Sequence, residues 1–365
     1  MQWLINFWYK PFNPLSYLLW PLHFILNLLV SLRKYLYVLG IFKSTKIDVP
    51  VIIVGNITVG GTGKSPLVIH LAENLTTAGF KVGVLSRGYG GHAKQYPLEV
   101  ELTSSTVDVG DEPLMIKQRV GVSVVVDPVR ARGARYLVEH CACDVILCDD
   151  GLQHYALQRD LEIVVIDGNR KLGNGLLMPF GPLREPSRRL KDVDAVLVTG
   201  DITAELTSQI EHTEQSAVFS MTLLSRQFVS VKDNKVLSLE QFNDYCSTNN
   251  TNNNTNNNTN NNNDENLTVD AVAGIGNPSR FFNQLKALGL QCREHQFVDH
   301  HKFIESDFKT MSSIIIMTEK DAVKCSQFAT DSMWYLKVEA NITPSIVEYC
   351  VQRLNSNHPE KYKRH

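Results

Sequence analysis

The sequence predicts an α/β protein with a parallel-sheet domain, a second α/β domain behind it, and a hydrophobic membrane-associated helix in front. Three observations carry this. Short runs rich in Val, Ile and Leu alternate with helical stretches. A glycine loop ending in Lys-Ser joins the first run to the first helix of the series. The strand, turn and helix pattern then restarts near residue 269, beyond an Asn-rich break.

Residues Pro50 to Pro66 read PVIIVGNITVGGTGKSP. Val51 to Val54 are apolar without alternation, as suits a strand buried on both faces. Gly60, Gly61 and Gly63 let the backbone turn tightly and present N–H groups, and Lys64-Ser65 opens a helix. A helix N-terminus, loop amides, an ammonium and a hydroxyl able to ligate Mg²⁺ make a phosphate cradle, so the first domain reads as P-loop NTPase-like. Thr58, Val59, Gly60, Gly61, Thr62, Gly63, Lys64 and Ser65 are the candidate nucleotide-binding residues. The strict G-x-x-x-x-G-K-[ST] pattern places glycine where Thr58 stands. The strand before the loop and the Lys-Ser after it argue for the cradle over an ordinary turn.

A chain of 365 residues, 43% hydrophobic, buries a large core and favours two domains. A net charge of −2 gives no drive toward nucleic acid. Seven cysteines without framework spacing fit a reducing compartment. Cys141, Cys143 and Cys148 lie close together, but Cys148 ends the apolar run Val145-Ile146-Leu147 and reads as a buried strand residue rather than a metal ligand.

Residues 1–42 are rich in Leu, Trp, Tyr and Phe, with few charges. The run is interrupted by Pro21, His23 and Asn27 and is borderline for the roughly 20 apolar residues of a spanning helix. A helix lying on the membrane surface is the favoured reading, with a single anchor as the alternative. Lys10, Arg33, Lys34, Lys43 and Lys46 would then sit near anionic phosphates. No signal-peptide pattern is present, so the main domain is expected on the cytoplasmic side.

The first domain is assigned to 43–225. Ser86-Arg87-Gly88-Tyr89-Gly90-Gly91 follows its second strand, and Arg87 has the planar fork that pairs with phosphate. Asp111 and Glu112 in VGDEP are either helix-capping carboxylates or include a general base; spacing alone leaves both open. Asp149-Asp150 ends the strand Val145 to Cys148, as in the Walker B arrangement that holds Mg²⁺. The loop GPLREP stiffens Arg184-Glu185 between prolines, offering one cation and one carboxylate. Arg130 and Arg184 are further candidates for phosphate charge. A β-hairpin with an Asp-Asn turn is expected at 226–240 as the linker. The second domain, 241–365, contains a disordered Asn-rich insertion at 248–263. AGIGNPSRFF lacks Lys-Ser and is not a second cradle. His300 and His301 either ligate metal or pair with a carboxylate.

GNITVGGTGKSP, SRGYGG, VGDEP, DDGLQH, GPLREP, AGIGNPSRFF, DHH and TEKDAVK follow in that order. Together they closely resemble the tetraacyldisaccharide 4'-kinase family, the lipid A 4'-kinases of Gram-negative bacteria, over all but the Asn-rich insertion. That family's loop also lacks the first glycine, which accounts for Thr58. The resemblance implies two α/β/α domains joined by a β-strand linker. It implies transfer of the ATP γ-phosphate, with Mg²⁺, to the 4'-hydroxyl of tetraacyldisaccharide 1-phosphate, giving lipid IV-A at the cytoplasmic face of the inner membrane. It implies Asp111 as base supported by His300, with Lys64 on the phosphates. Asp149, Asp150 and Glu185 would be metal-associated or otherwise needed near the phosphates; with these go Ser65, as a metal ligand, and Arg87, Tyr89, Arg130 and Arg184, near substrate or phosphate, on the residue reading. A membrane-associated P-loop ATPase acting as a switch is the competing reading; it needs no base for an alcohol.

Overall fold

The computed structural model describes residues 7–9, 20–210, 216–251, 268–311 and 314–357. Its helices are α1 (Trp20–Val38), α2 (Lys64–Thr77), α3 (Thr106–Val109), α4 (Asp111–Val120), α5 (Arg130–Glu139), α6 (Ala204–Ile210), α7 (Leu239–Thr251), α8 (Pro278–Ala287), α9 (Glu319–Cys325) and α10 (Ile346–Asn357). Its strands are β1 (Val51–Gly55), β2 (Val82–Ser86), β3 (Leu98–Glu99), β4 (Ser123–Val126), β5 (Val145–Asp149), β6 (Leu161–Asp167), β7 (Ala195–Thr199), β8 (Ala217–Ser230), β9 (Val236–Ser238), β10 (Thr268–Ala273), β11 (Gln291–Gln296), β12 (Ile315–Thr318) and β13 (Met333–Thr343).

The thirteen strands among the described residues belong to one sheet, in the order β11-β10-β12-β13-β8-β7-β6-β1-β5-β2-β4-β3, with β9 folded against β8. β1 lies between β5 and β6, parallel to both. Every residue of β1, β5, β6 and β7 is buried, which is why these strands read as continuous apolar runs. α2 covers one face through Leu67, Leu71 and Leu75, one turn apart, with Val68 and Ala72 beside them. α5 supplies Ala134 and Leu137 to the other face.

Two long strands join the halves. β9 pairs antiparallel with β8, and Asn234 between them takes the left-handed conformation. β13, however, runs antiparallel along β8 from Trp334–Ser230 to Thr343–Ser220. α10 then packs Ile346, Cys350 and Leu354 into the α2 side of the first half. The stretch 241–365 therefore does not stay on one side of the linker. The pairing partner of β8 lies over a hundred residues downstream, a distance that local patterning does not register. The second half has its own core, where Phe242 stacks on Phe228 with ring centroids 3.9 Å apart and Trp334 meets Phe242 edge-on. Thr248 to Thr251, assigned to the disordered insertion, instead finish α7; the rest of that insertion, 252–263, lies outside the described residues.

No helix among the described residues is long and apolar enough to cross a membrane. α1 packs Leu26 and Val30 on the α5 side of the sheet, and His23 Nδ1 accepts from the Leu177 N–H at 3.1 Å. Asn27 and Ser31 accept from Arg188. The opposite side of α1 exposes Leu22, Phe24, Ile25, Leu28, Leu29 and Leu32. Lys34 is tied to Asp192, and Arg33 donates to the Gln153 carbonyl at 3.4 Å, so both of these cations turn toward the protein. Lys10 lies outside the described residues.

Candidate active site

The glycine loop leaves β1 and closes on itself. Gly63 has φ +97°, and a Cβ there would come within 2.9 Å of Met221 Cε and 3.1 Å of Thr199 Oγ1, so only glycine fits between β7, β8 and the start of α2. Asn56, directly after β1, is fully buried, and its Oδ1 accepts from Lys64 Nζ at 3.0 Å. Its Nδ2 reaches back to the Gly60 carbonyl at 3.4 Å. Thr199 Oγ1 donates to the Thr62 carbonyl, and the buried Thr62 Oγ1 has no hydrogen-bond partner. Thr58 bridges Leu183, and the Val59 N–H donates to the Pro182 carbonyl at 2.8 Å, which lays GPLREP beside the glycine loop.

Arg184 follows from that pairing. Its Nη1 donates to both Asp150 oxygens, at 3.0 and 2.9 Å, and Lys64 Nζ stands 3.4 Å from Asp150 Oδ1. Burial alone would raise the Asp150 carboxyl, but Lys64 and Arg184 bring it down to about 2. Asp150 has φ +50°, a left-handed conformation uncommon outside glycine. Asp149 is its opposite. Burial, with Glu112 and Asp150 nearby, pushes its carboxyl up to about 7, and its Oδ1 is buried without a hydrogen-bond partner. A buried, unpaired oxygen at the end of a central strand suits a cation, so Asp149 fits Mg²⁺, while the Asp150 oxygens are engaged by Arg184 and Lys64. Arg130 is buried below them; Nη2 donates to the Asp149 carbonyl at 2.6 Å, while Nε and Nη1 are unpaired. His154, pushed down to about 4 by burial and then by Arg130 and Arg87, is neutral at physiological pH.

Glu185 does not join this set. Alternation along an extended loop sends consecutive side chains to opposite sides. Its Oε2 accepts from Tyr155 at 2.8 Å and pairs with Arg189 at 3.2 Å, beneath α1. Among the described residues no three His, Cys, Asp or Glu side chains gather as a metal site, so Asp149, Asp150 and Glu185 do not form one. Nor does His301, which pairs locally with Asp307 at 3.0 Å.

The second cluster spans the halves. Asp111 opens α4, and His300 follows β11. His300 Nδ1 lies 2.9 Å from Asp111 Oδ2, while Asp111 Oδ1 accepts from the Glu112 N–H. Asp111 thus sits at a helix start and is paired with a histidine. Asp111 is 5% exposed. Burial alone would raise its carboxyl, but the His300 hydrogen bond and then Lys320 hold it below the usual carboxylate range. The same hydrogen bond raises His300 above its ordinary value against the effect of burial. Gly110 has φ +87°, and a Cβ there would strike the Tyr89 carbonyl at 2.7 Å, so the SRGYGG loop lies tight on the start of α4. This puts the exposed Tyr89 ring 5.0 Å from the His300 ring, at the mouth of a cavity of about 440 Å³ that reaches Asp111. Arg87 is exposed on the same loop.

Three residues that motif reading passed over complete the arrangement. Lys320 donates to Glu112 Oε1 at 3.2 Å, and Lys324 Nζ lies 3.9 Å from Asp111 Oδ2. Arg119 forks onto Glu319 at 2.6 and 2.8 Å and donates to the Val338 carbonyl, clamping α4 to α9 and β13. A cation set between the carboxylates Glu319 and Asp321 in TEKD was the available signal for Lys320.

The profile of the family described as LpxK, Tetraacyldisaccharide-1-P 4'-kinase, matches residues 15–355. The chain belongs to that family. It is 43% identical to the tetraacyldisaccharide 4'-kinase of Pseudoalteromonas atlantica over 345 residues, 94% of this chain and 99% of that one. It is 42% identical to the Methylobacillus flagellatus enzyme of the same name over 357 residues, 97% and 96% of the two chains. The crystal structure of the "apo" form of LpxK from Aquifex aeolicus in complex with ATP superposes with a TM-score of 0.71 at 26% identity, covering 94% of this chain and 99% of that one. Kinase chemistry is thus the family's, and the likeness to the ATP complex extends across both halves.

Proposed function

We propose that this chain moves the γ-phosphoryl of ATP onto the 4'-hydroxyl of a tetraacyldisaccharide 1-phosphate, forming lipid IV-A. The observation that carries the reading is the Asp111–His300 hydrogen bond, made by one residue from each half of a family chain that also holds a Lys64–Asp150 phosphate loop. A sugar hydroxyl is a poor nucleophile, and a carboxylate that accepts its proton lowers the barrier. Asp111 Oδ2 is held by His300 and Oδ1 by one backbone N–H, so Oδ1 keeps lone-pair capacity for the incoming hydroxyl. Lys64 exchanges Asn56 for phosphate oxygens, and the loop amides from Gly60 to Ser65 cradle the chain of phosphates. Ser65, Asp149 and Asp150 would hold Mg²⁺, which when bound supplies charge neutralisation on the phosphates. Arg184 and Arg130 add positive charge at the same edge. Tyr89, exposed beside His300, offers a ring face to the sugar.

The acceptor is a lipid, and the apolar outer side of α1 is the feature suited to meet it. In this reading α1 lies in the interfacial zone at the cytoplasmic face of the inner membrane, with Phe24, Leu28 and Leu29 among the acyl chains. Incubation with ATP and acceptor in detergent, followed by mass spectrometry of the lipid, should give a product heavier by a single phosphate. ATP consumption indifferent to the acceptor would instead favour the switch ATPase.

A further inference from the structure

Lys320 is not assigned by the phosphate loop, the Mg²⁺ set or the Asp111–His300 pair, yet it touches the last of these. It is the second residue of α9, and its side chain is 17% exposed. Its Nζ lies 3.2 Å from Glu112 Oε1, 3.8 Å from Asp111 Oδ2 and 3.5 Å from His300 Nε2. We propose that Lys320 is a positioning residue that fixes His300 as the neutral tautomer protonated on Nδ1, and so aims its single N–H at Asp111.

The argument is one of donors and acceptors. An ionised carboxylate only accepts, so the His300 nitrogen 2.9 Å from Asp111 Oδ2 carries a proton. An ammonium only donates, so the nitrogen facing Lys320 presents a lone pair. A second proton on Nε2 would point N–H at N–H. Asp299 Oδ1, 3.9 Å from the same Nε2, pulls the other way, but that side chain is 47% exposed and its charge is screened. Lys320 is closer and more buried. The other charged groups around the pair are Glu112, on which Lys320 rests, and Lys324, which lies 3.9 Å from Asp111 and 2.6 Å from Asp321. Neither reaches Nε2 more closely than Lys320 does. The ammonium thus opposes the second proton that the Asp111 hydrogen bond favours on His300, so Asp111 retains enough basicity to take a proton from the acceptor hydroxyl. A doubly protonated imidazole would stabilise the Asp111 anion and weaken it as a base.

The inference rests on the kinase reading for its kinetic consequence but not for its structural one. In ¹⁵N-histidine-labelled full-length protein, with His300→Gln assigning the signals, wild type should show Nδ1 protonated and Nε2 unprotonated at pH 7.5. In Lys320→Met the imidazole should titrate at a higher pH. Activity should fall about 10-fold in kcat, as when the partner orienting a working imidazole is lost, with KM for ATP unchanged. The acid limb of the kcat profile should move to higher pH. Lys320→Arg should restore the limb. Placed on His300→Gln, which lacks the limb, Lys320→Met should leave the pH profile unchanged. A proton on Nε2 in wild type, or a uniform loss of kcat with no movement of the limb, would overturn the proposal. An absence of kinase activity in wild type with the tautomer intact would count against the kinase reading alone.

Discussion

Asp111 is a buried carboxylate that stays ionised because His300, Lys320 and Lys324 surround it. Replacing it with Asn keeps the shape and removes the base. Asp111→Asn should lower kcat by about 10²- to 10⁴-fold, the usual share of general base catalysis, with ATP affinity unchanged by calorimetry. The pH dependence follows from the two shifts. Asp111 is held below the ordinary carboxylate range, so it remains a base throughout the neutral region. His300 is raised above its ordinary value, so it is the group that charges as pH falls. The acid limb of kcat should therefore lie above the ordinary imidazole value and disappear in His300→Gln. A limb at the ordinary carboxylate value would assign it to Asp111 instead. Lys64 and Asp150 stand out in the sequence because each sits in a short motif whose chemistry is local, whereas the Asp111–His300 pairing, 189 residues apart, came only from the family resemblance. Glu185 was misplaced because adjacent residues of an extended loop face opposite ways. Lys320 was missed because its role exists only where α9 meets α4.

At the level of elements, two joints decide the architecture. The first is the clamp between α4 and α9, where Arg119 and Glu319 are both largely buried. Arg119→Ala would leave Glu319, already raised by burial, without its counter-charge. Removing one member of a buried pair costs about 3–5 kcal/mol, so Arg119→Ala should lower the denaturant midpoint markedly. Replacing both residues with Met should recover much of the loss. The second joint is α1, which seats Leu26 and Val30 on the protein and leaves Phe24, Leu28 and Leu29 in solvent. Each such side chain is worth about 1.5–3 kcal/mol when removed from water. Changing all three to Ser should release the protein from vesicles in a sedimentation assay while leaving ATP binding intact. The parallel strands were visible as unbroken apolar runs, and the glycine loop marked the start of α2. The β8–β13 ribbon was not visible, since its two strands are far apart in the chain and each alternates only weakly.

Across the whole molecule, the continuous sheet carries the two halves to one shared edge. Lys64, Asp149 and Asp150 come from the first half; His300, Lys320 and Lys324 come from the second and meet Asp111 and Glu112. A carboxylate–histidine pair drawn from both halves beside a phosphate loop, with an exposed apolar helix face on the same body, is what the proposed phosphorylation of a lipid alcohol requires. The overall class was readable from alternation of elements and from eight ordered motifs. The way the C-terminal helix returns to the first core was not, because it depends on packing between distant segments. The most direct test supplies [γ-³²P]ATP and tetraacyldisaccharide 1-phosphate in detergent micelles to the full chain and to Asp111→Asn. Label should pass to the lipid with wild type and only at trace level with the variant. Label released solely as free phosphate, or an unimpaired variant, would contradict the account.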